Sequence, residues 1–216
     1  APMIAVFGQA IDGGALPRHD ASDAASTSAE SPTILLDTVT GQLVPHFSEL
    51  DPRAPDDTRR GLLIRPLSRL EPGRRYVVGI KDLVGPDAQP IRGPAGFVDL
   101  RDRAGAGHPA IAALAPRYDA EVFAPLARLA PRERWQLAWD FTTASREHSQ
   151  RDLLAVRERT MALLSATAPA FTITEVTPGE PGSAIGRRID GTLEVPLFVE
   201  HAGPGAALRR GAGGTR

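Results

Sequence analysis

The sequence contains no cysteine. Disulfides, thiolate metal sites and cysteine nucleophiles are therefore excluded, and the redox compartment is left open. Lysine is almost absent: Lys81 stands alone, and every other basic residue is arginine. With abundant Ala, Gly and Pro, this is the composition of a GC-rich coding sequence rather than of a phosphate-binding surface. The net charge is −1 over 216 residues, so no global field favours nucleic acid or an anionic membrane. No apolar run approaches the roughly 20 residues of a membrane span, and no repeat recurs at fixed spacing. Catalytic signatures are missing too: there is no Walker loop, dinucleotide fingerprint or H-E-x-x-H. The G-x-S-x-G of a nucleophile elbow is also absent. Gly182-Ser183-Ala184-Ile185-Gly186 comes nearest, but its serine falls one place early with no strand before it, and it reads as loop.

What is present is enough apolar residue, 42 %, for one large domain or two small ones. The chain is organised around Arg59 to Leu83. Two apolar runs, Leu62-Leu63-Ile64 and Tyr76-Val77-Val78-Gly79-Ile80, flank Leu70-Glu71-Pro72-Gly73. Pro-Gly suits the centre of a type II turn, since Pro presets φ at the first central position and Gly supplies φ > 0 at the second. The runs are rich in β-branched and aromatic residues, so the stretch reads as strand, turn, strand.

Before it come Met3 to Phe7, Thr33 to Leu36 and Leu43 to Phe47 as short strands. A small polar loop spans residues 18–31, and Gly41 sits in a reversal between the second and third strands. Pro45 marks the third strand as an edge strand or the site of a bulge. Asp51 to Thr58 and Gly85 to Pro90 read as loops. Residues 104–133 change to helical spacing (Ile111, Leu114, Val122, Phe123, Leu126, Leu129), cut by Pro116, Pro125 and Pro131. Arg134 to Thr143 returns to alternation, placing Trp135, Leu137, Trp139 and Phe141 on one expected core face. Ser145 to Leu164 reads as a helix and Phe171 to Val176 as a strand. Ile185 to Val199 reads as extended, folded back at Asp190-Gly191 as a two-residue hairpin turn. The chain opens strand-like with no basic, apolar leader and stops at Gly211 to Arg216, which reads as a fragment of a longer protein.

Candidate chemistry is sparse. None of the five histidines pairs with another at metal-ligand spacing. His148 with Asp152 is an i, i+4 pair on a helix, read as a surface pair; His19-Asp20 lies in the polar loop. Asp51, Asp56 and Asp57, with Asp82 and Asp87, are the acids that could approach a calcium ion, but they lack its loop spacing. Arg65, Arg69, Arg74 and Arg75 read as a solvated basic edge. Trp135 and Trp139 would be a sugar-stacking platform if exposed, though their alternation favours the core. No catalytic, cofactor-binding or metal residue is assigned.

Several of these pieces resemble the bacterial Ig-like domains of the Big_5 or SbsA-like type. The resemblance rests on Ile4-Ala5-Val6-Phe7 to Asp12, LLIRP at Leu62 to Pro66, and Leu70-Glu71-Pro72-Gly73 followed by Tyr76-Val77-Val78. The loop Asp82 to Ile91 is similar to D-x-x-G-N-x-L, with Gln89 where Asn is usual. Agreement covers roughly residues 2–92, and Trp139-Asp140-Phe141-Thr142-Thr143 resembles the closing strand. The whole also looks like the region before the catalytic domain in large secreted bacterial α/β-hydrolase or lipase-like proteins. Leu137 to Ser145 matches L-A-W-D-F-T-x-A-S, and Gly191 to Leu197 matches G-x-x-x-V-P-L.

The resemblance implies a mainly β fold: an Ig-like β-sandwich over residues 1–145 with a helical insertion at about 104–133, looped out from it. Residues 146–216 would add a helix and a β-hairpin, the possible start of a truncated hydrolase domain. It further implies an extracellular or cell-surface, non-catalytic region whose partner is a C-terminal hydrolase domain of the same protein. No cofactor, nucleic acid or transmembrane segment is expected. A stand-alone surface adhesion or carbohydrate-binding module is the alternative.

Overall fold

The structure, a computed structural model, describes residues 2–104 and 107–209. Gly211 to Arg216, at the chain's end, lie outside the described residues. Two compact units divide the chain, Ala1–Arg146 and Glu147–Arg216.

In the first unit, β1 (Met3–Ala5), β4 (Leu62–Pro66) and β3 (His46–Leu50) form one antiparallel sheet, in that order. A second contains β2 (Thr33–Asp37), β5 (Arg75–Lys81) and β6 (Trp135–Thr142), also in that order. Period-two alternation makes the two sheets face each other. Ala5, Leu62 and Ile64 from the first meet Leu35, Tyr76, Val78 and Ile80 from the second in one buried core, with Leu137, Trp139 and Phe141 packed against it. Gly73 has φ of +65°, the left-handed position its turn requires. That turn does not close a hairpin; it carries the chain from β4 in one sheet to β5 in the other. The corner is tied by the Tyr76 hydroxyl, which accepts a hydrogen bond from the Glu71 N–H at 2.9 Å. Pro45 immediately precedes β3, an edge strand, where a missing backbone donor is tolerated.

The second sheet is covered on its other face as well. Ile34, Leu36, Val77, Trp135 and Ala138 pack against Phe97, Val122, Phe123 and Leu126 in a second core. This double coverage explains why Tyr76 to Ile80 reads as a nearly unbroken apolar run. The covering layer is α1 (Ala95–Asp102), α2 (Pro109–Tyr118), a π turn at Asp119–Phe123 and the single turn α3 (Ala124–Leu126). The helical insertion is therefore not looped out; it is the third layer of the unit. It also begins before residue 104. α1 escapes a periodicity reading because it is eight residues long and buries Phe97 and Leu100 alone. Pro116 removes a backbone donor inside α2, and the chain passes directly into the π turn.

A second correction concerns the tryptophans. Lys81 pairs with Trp135 and Ile80 with Leu137, so Gln136 is an extra residue in β6. This bulge inverts the alternation. Trp135 joins the helix-side core and Trp139 the core between the sheets. The Trp135 ring comes close to β5 at Gly79: a Cβ there would stand 2.5 Å from its Cζ3, so no larger residue fits without displacing the indole.

The second unit comprises α4 (Arg146–Ala166), which starts at the last residue of the first, and the antiparallel pair β7 (Phe171–Pro178) and β8 (Arg187–Leu193). Asp190-Gly191 is not a turn. It lies within β8, opposite Glu175 and Ile173, and the strands are joined by residues 179–186. The register shift between Ile173 and Glu175 gathers the apolar side chains on one face, Phe171, Ile173 and Val176 with Ile189 and Leu193, and Arg187 lies at the end of that face. The opposite face carries Thr172, Thr177, Arg188, Asp190 and Thr192. Among the described residues of this unit none is buried.

Among the described residues, helix and strand contribute 28 % and 26 %, with eight strands in three antiparallel sheets. The fold is mixed rather than mainly β, because the helical layer and α4 occupy more of the chain than the resemblance implies.

Candidate functional site

Besides Asp37, which is buried at the end of β2 and held by Arg74 and the N–H groups of Val39 and Thr40, polar side chains are buried at three places in the first unit. At the end of β5, Asp82 adopts φ of +56°, which turns its carboxylate toward two cations. Lys81 Nζ lies 3.0 Å and Arg134 Nη2 2.6 Å from Asp82 Oδ2, and the Lys81 side chain is fully buried. Burial alone raises the Asp82 carboxyl, but hydrogen bonds from Arg134 and Lys81 and their charges outweigh it and hold the pKa below the ordinary carboxylate value. A carboxylate locked between two cations is a poor base and a good anchor for the strand end. Because its folded pKa is depressed, its contribution to stability is present above about pH 4 and is lost as pH falls through the folded value. Asp82→Asn is accordingly expected to narrow the difference in melting temperature between pH 7 and pH 3. The change should correspond to about 1 kcal/mol at most, kept small by solvent screening of an exposed group. An unchanged difference between the two pH values would assign the acid sensitivity elsewhere.

Next to it, the bulged Gln136 turns its amide inward. Its Oε1 accepts from Leu83 N at 2.7 Å, and its Nε2 donates to Leu83 O at 2.8 Å and Ile91 O at 2.6 Å. All three bonds clamp the loop after β5 onto β6.

The third cluster bridges the two sheets where β2 and β3 lie edge to edge. Thr33 of β2 places its Oγ1 3.0 Å from His46 Nε2 and 2.9 Å from Ser48 Oγ, both of β3. His46 Nδ1 lies 2.9 Å from Val44 O, and Nε2 also lies 3.1 Å from Thr33 O. Burial pushes the His46 imidazole below its ordinary pKa, and the two backbone carbonyls partly oppose that. Serine, threonine and histidine meet here, but all three are buried, so no substrate reaches them.

The remaining candidates are dispersed. Asp51 accepts from Arg53 N, Asp56 caps the 3-10 turn at Asp57–Arg59, and Asp57 pairs with Arg60. Asp87 accepts from Gln89 N. Among the described residues no three His, Asp or Glu side chains are grouped to hold a metal ion. Arg65, Arg74 and Arg75 pair with Glu49, Asp37 and Glu121 respectively, so they do not present one basic edge; Arg69 is exposed in the turn region. The His19 and Phe47 rings meet edge to face with their centroids 6.1 Å apart, and Asp20 pairs with Arg18. His148 and Asp152 lie on α4. Ser183 is at the exposed tip joining β7 to β8, where its Oγ accepts from Ile185 N. Trp135 is 1 % exposed and turned away from Trp139, so the two make no common platform. A shallow basin lined by Arg101, Asp102, Arg103, Arg132 and Glu133 is spent on the fold. Arg132 donates to Leu100 O and Arg101 O at the end of α1, pairs with Asp119 and lies 3.8 Å over the Phe123 ring.

The buried Thr33–His46–Ser48 cluster is what the sequence reading missed. Its signal was available: His46 and Ser48, two apart on a short strand, put two polar side chains on one face. No helix among the described residues is long and apolar enough to cross a membrane. Comparison of the chain with protein-family models, curated proteins and solved structures finds no match.

Proposed function

We propose that this chain is a non-catalytic, Ig-like region of a secreted or surface α/β-hydrolase of the lipase or esterase kind, and that it braces or presents the catalytic domain. The second unit carries the reading. An isolated two-stranded sheet is marginal in water, yet β7 and β8 leave Phe171 and Leu193 70 % and 57 % exposed on one apolar face. Contiguous apolar surface of this kind is what a neighbouring body covers. The G-x-x-x-V-P-L match at Gly191 to Leu197 points to a hydrolase sheet as that body.

The first unit supports the Ig-like half of the proposal. Constant-type Ig sheets order their strands A-B-E-D and C-F-G. Reading β1 to β6 as strands B to G gives B-E-D and C-F-G, the observed orders. The hydrogen bond of the Tyr76 hydroxyl to the backbone five residues upstream fits the tyrosine corner at the E–F connection. The helical layer is then an insertion between strands F and G. A carbohydrate-binding module loses its main support, since Trp135 is buried.

The test combines the reading frame beyond Arg216 with limited proteolysis. A G-x-S-x-G downstream, and cleavage within 147–209 that disappears when the downstream residues are expressed with the chain, are the expected results. Further Ig-like repeats or a surface anchor in place of the serine motif would overturn the proposal.

A further inference from the structure

Sheet edges leave backbone groups without a ladder partner, and the first unit has four edge strands, β1, β3, β2 and β6. Three of them are covered. β3 gives Ser48 N to Pro17 O at 2.8 Å and His46 N to Ser26 Oγ at 3.0 Å. β2 takes residues 42–44 along its outer side: Val44 N donates to Leu35 O at 2.8 Å, and Asp37 N donates to Gln42 O at 3.0 Å. The start of β6 is closed by Arg101, whose Nη1 donates to Trp135 O at 3.1 Å, and by Gly93 against Gln136 O. Farther along β6 the Asp140 carboxylate is held by Arg117. Among the described residues nothing pairs with the outer side of β1.

The side chains of β1 do not guard that edge either. Residues 2–11 contain no charged residue and no histidine, so the charges that keep strand edges apart are missing. On the outer face Ile4 and Val6 are 58 % and 55 % exposed. On the other face Met3 and Phe7 border the core between the sheets and are only partly buried. β3 meets β2 where Thr33 bonds His46 and Ser48, so the strand orders bring β1 over β6. Leu137, Trp139 and Phe141 of β6 are partly buried against the same core. An apolar, half-open seam thus runs beside a bare backbone edge.

We propose that the outer edge of β1 pairs with the same edge of a second copy of this chain, antiparallel about a two-fold axis. The two first sheets then form one sheet in the order β3-β4-β1-β1-β4-β3. A two-fold interface needs a patch complementary to itself. β1 meets that condition: an uncharged edge neither repels its copy nor buries a charge, and antiparallel pairing sets apolar side chains opposite apolar side chains on both faces. A charged extended peptide would gain the backbone bonds and lose those pairs. Pro2, without an N–H, precedes the strand, and Gly8, with φ of +67°, follows Phe7. A ladder no longer than Met3 to Phe7 falls short of the roughly 800 Å² per partner of a standard interface, so the pairing is weak and reversible. It does not depend on what covers the second unit.

Sedimentation equilibrium of the full chain reads the association. Between about 10 µM and about 1 mM the weight-average mass is expected to rise about 1.5-fold or more, the rise that a Kd of about 1 mM gives at the upper concentration. Ile4→Lys places a charge on the bare edge at an exposed position and is expected to hold the monomer mass throughout. Phe171→Lys, on the apolar face of β7, is expected to associate like the parent, which separates this edge from the second unit. A flat mass in the parent, a rise that survives Ile4→Lys, or a rise lost in Phe171→Lys overturns the proposal. Should Ile4→Lys fold poorly, amide hydrogen exchange of the parent decides: exchange at residues 3–6 must slow as concentration increases, and exchange there that ignores concentration is equally fatal.

Discussion

Trp135→Ala is expected to destabilise the first unit by about 3–5 kcal/mol, whereas Trp139→Ala should cost clearly less. The indole of Trp135 is enclosed on every side. It rests on Gly79 from β5, and it shares its core with Ile34, Val77, Phe97 and Phe123, so both sheet and helical layer lose contacts when it goes. The backbone of β5 cannot collapse into the space left behind, because its other face is fixed by the core between the sheets. The cavity therefore persists and adds to the lost transfer energy. Trp139 is only partly buried at the border of that other core, and its truncation can be relieved by solvent. Urea denaturation of the two variants separates these cases. Equal losses would mean that Trp139 is as firmly enclosed as Trp135, against the difference in burial that the bulge at Gln136 creates.

Gln136→Ala is the second large effect, at about 3 kcal/mol or more. One side chain satisfies one buried N–H and two buried carbonyls, belonging to Leu83 and Ile91. Removing it strands the Leu83 N–H and the Ile91 carbonyl, at about 1–3 kcal/mol for each group that water cannot reach, while the Leu83 carbonyl keeps the bond it accepts from Ile91 N. Part of the cost is recovered if the loop after β5 lifts and lets water in. Gln136→Glu discriminates between packing and hydrogen bonding. It keeps the shape and the acceptor for Leu83 N but replaces a donor by a charged oxygen facing two carbonyls. A loss as large as that of the alanine variant assigns the stability to the donor pair. Near-parent stability in the glutamate variant would show that filling the space is what matters. Chemical denaturation with hydrogen exchange at Leu83 and Gly85 follows both.

Where local pattern and turn chemistry agree, the sequence announces its structure. Leu62 to Ile64 and Tyr76 to Ile80 are strands, Pro72-Gly73 is the corner between them, and residues 104–133 are largely helical. The sequence pattern fails where the deciding atoms lie across a ladder. Nothing in W-Q-L-A-W-D-F-T marks Gln136 as surplus; that follows from its amide finding Leu83 and Ile91 on a loop more than forty residues away. Asp190-Gly191 has the chemistry of a turn, yet pairing with β7 keeps it extended. The polar cluster was half legible, since His46 and Ser48 break an inward-facing strand position. Thr33, from the other sheet, could be joined to them only in three dimensions.

The position of β6 also has a bearing on synthesis. When Lys81 leaves the ribosome, β5 has its neighbour β2, and the first sheet is already available to cover one side. The opposite side, with Ile34, Leu36 and Val77, waits for the helices and for Trp135, which emerges more than fifty residues later. At 5–20 residues per second, that interval lasts about 3–11 s. During those seconds the nascent chain carries a sticky, flat strand pair with a vacant rim, so chaperone capture of intermediates stalled between residues 90 and 135 should exceed that of products released after Thr142.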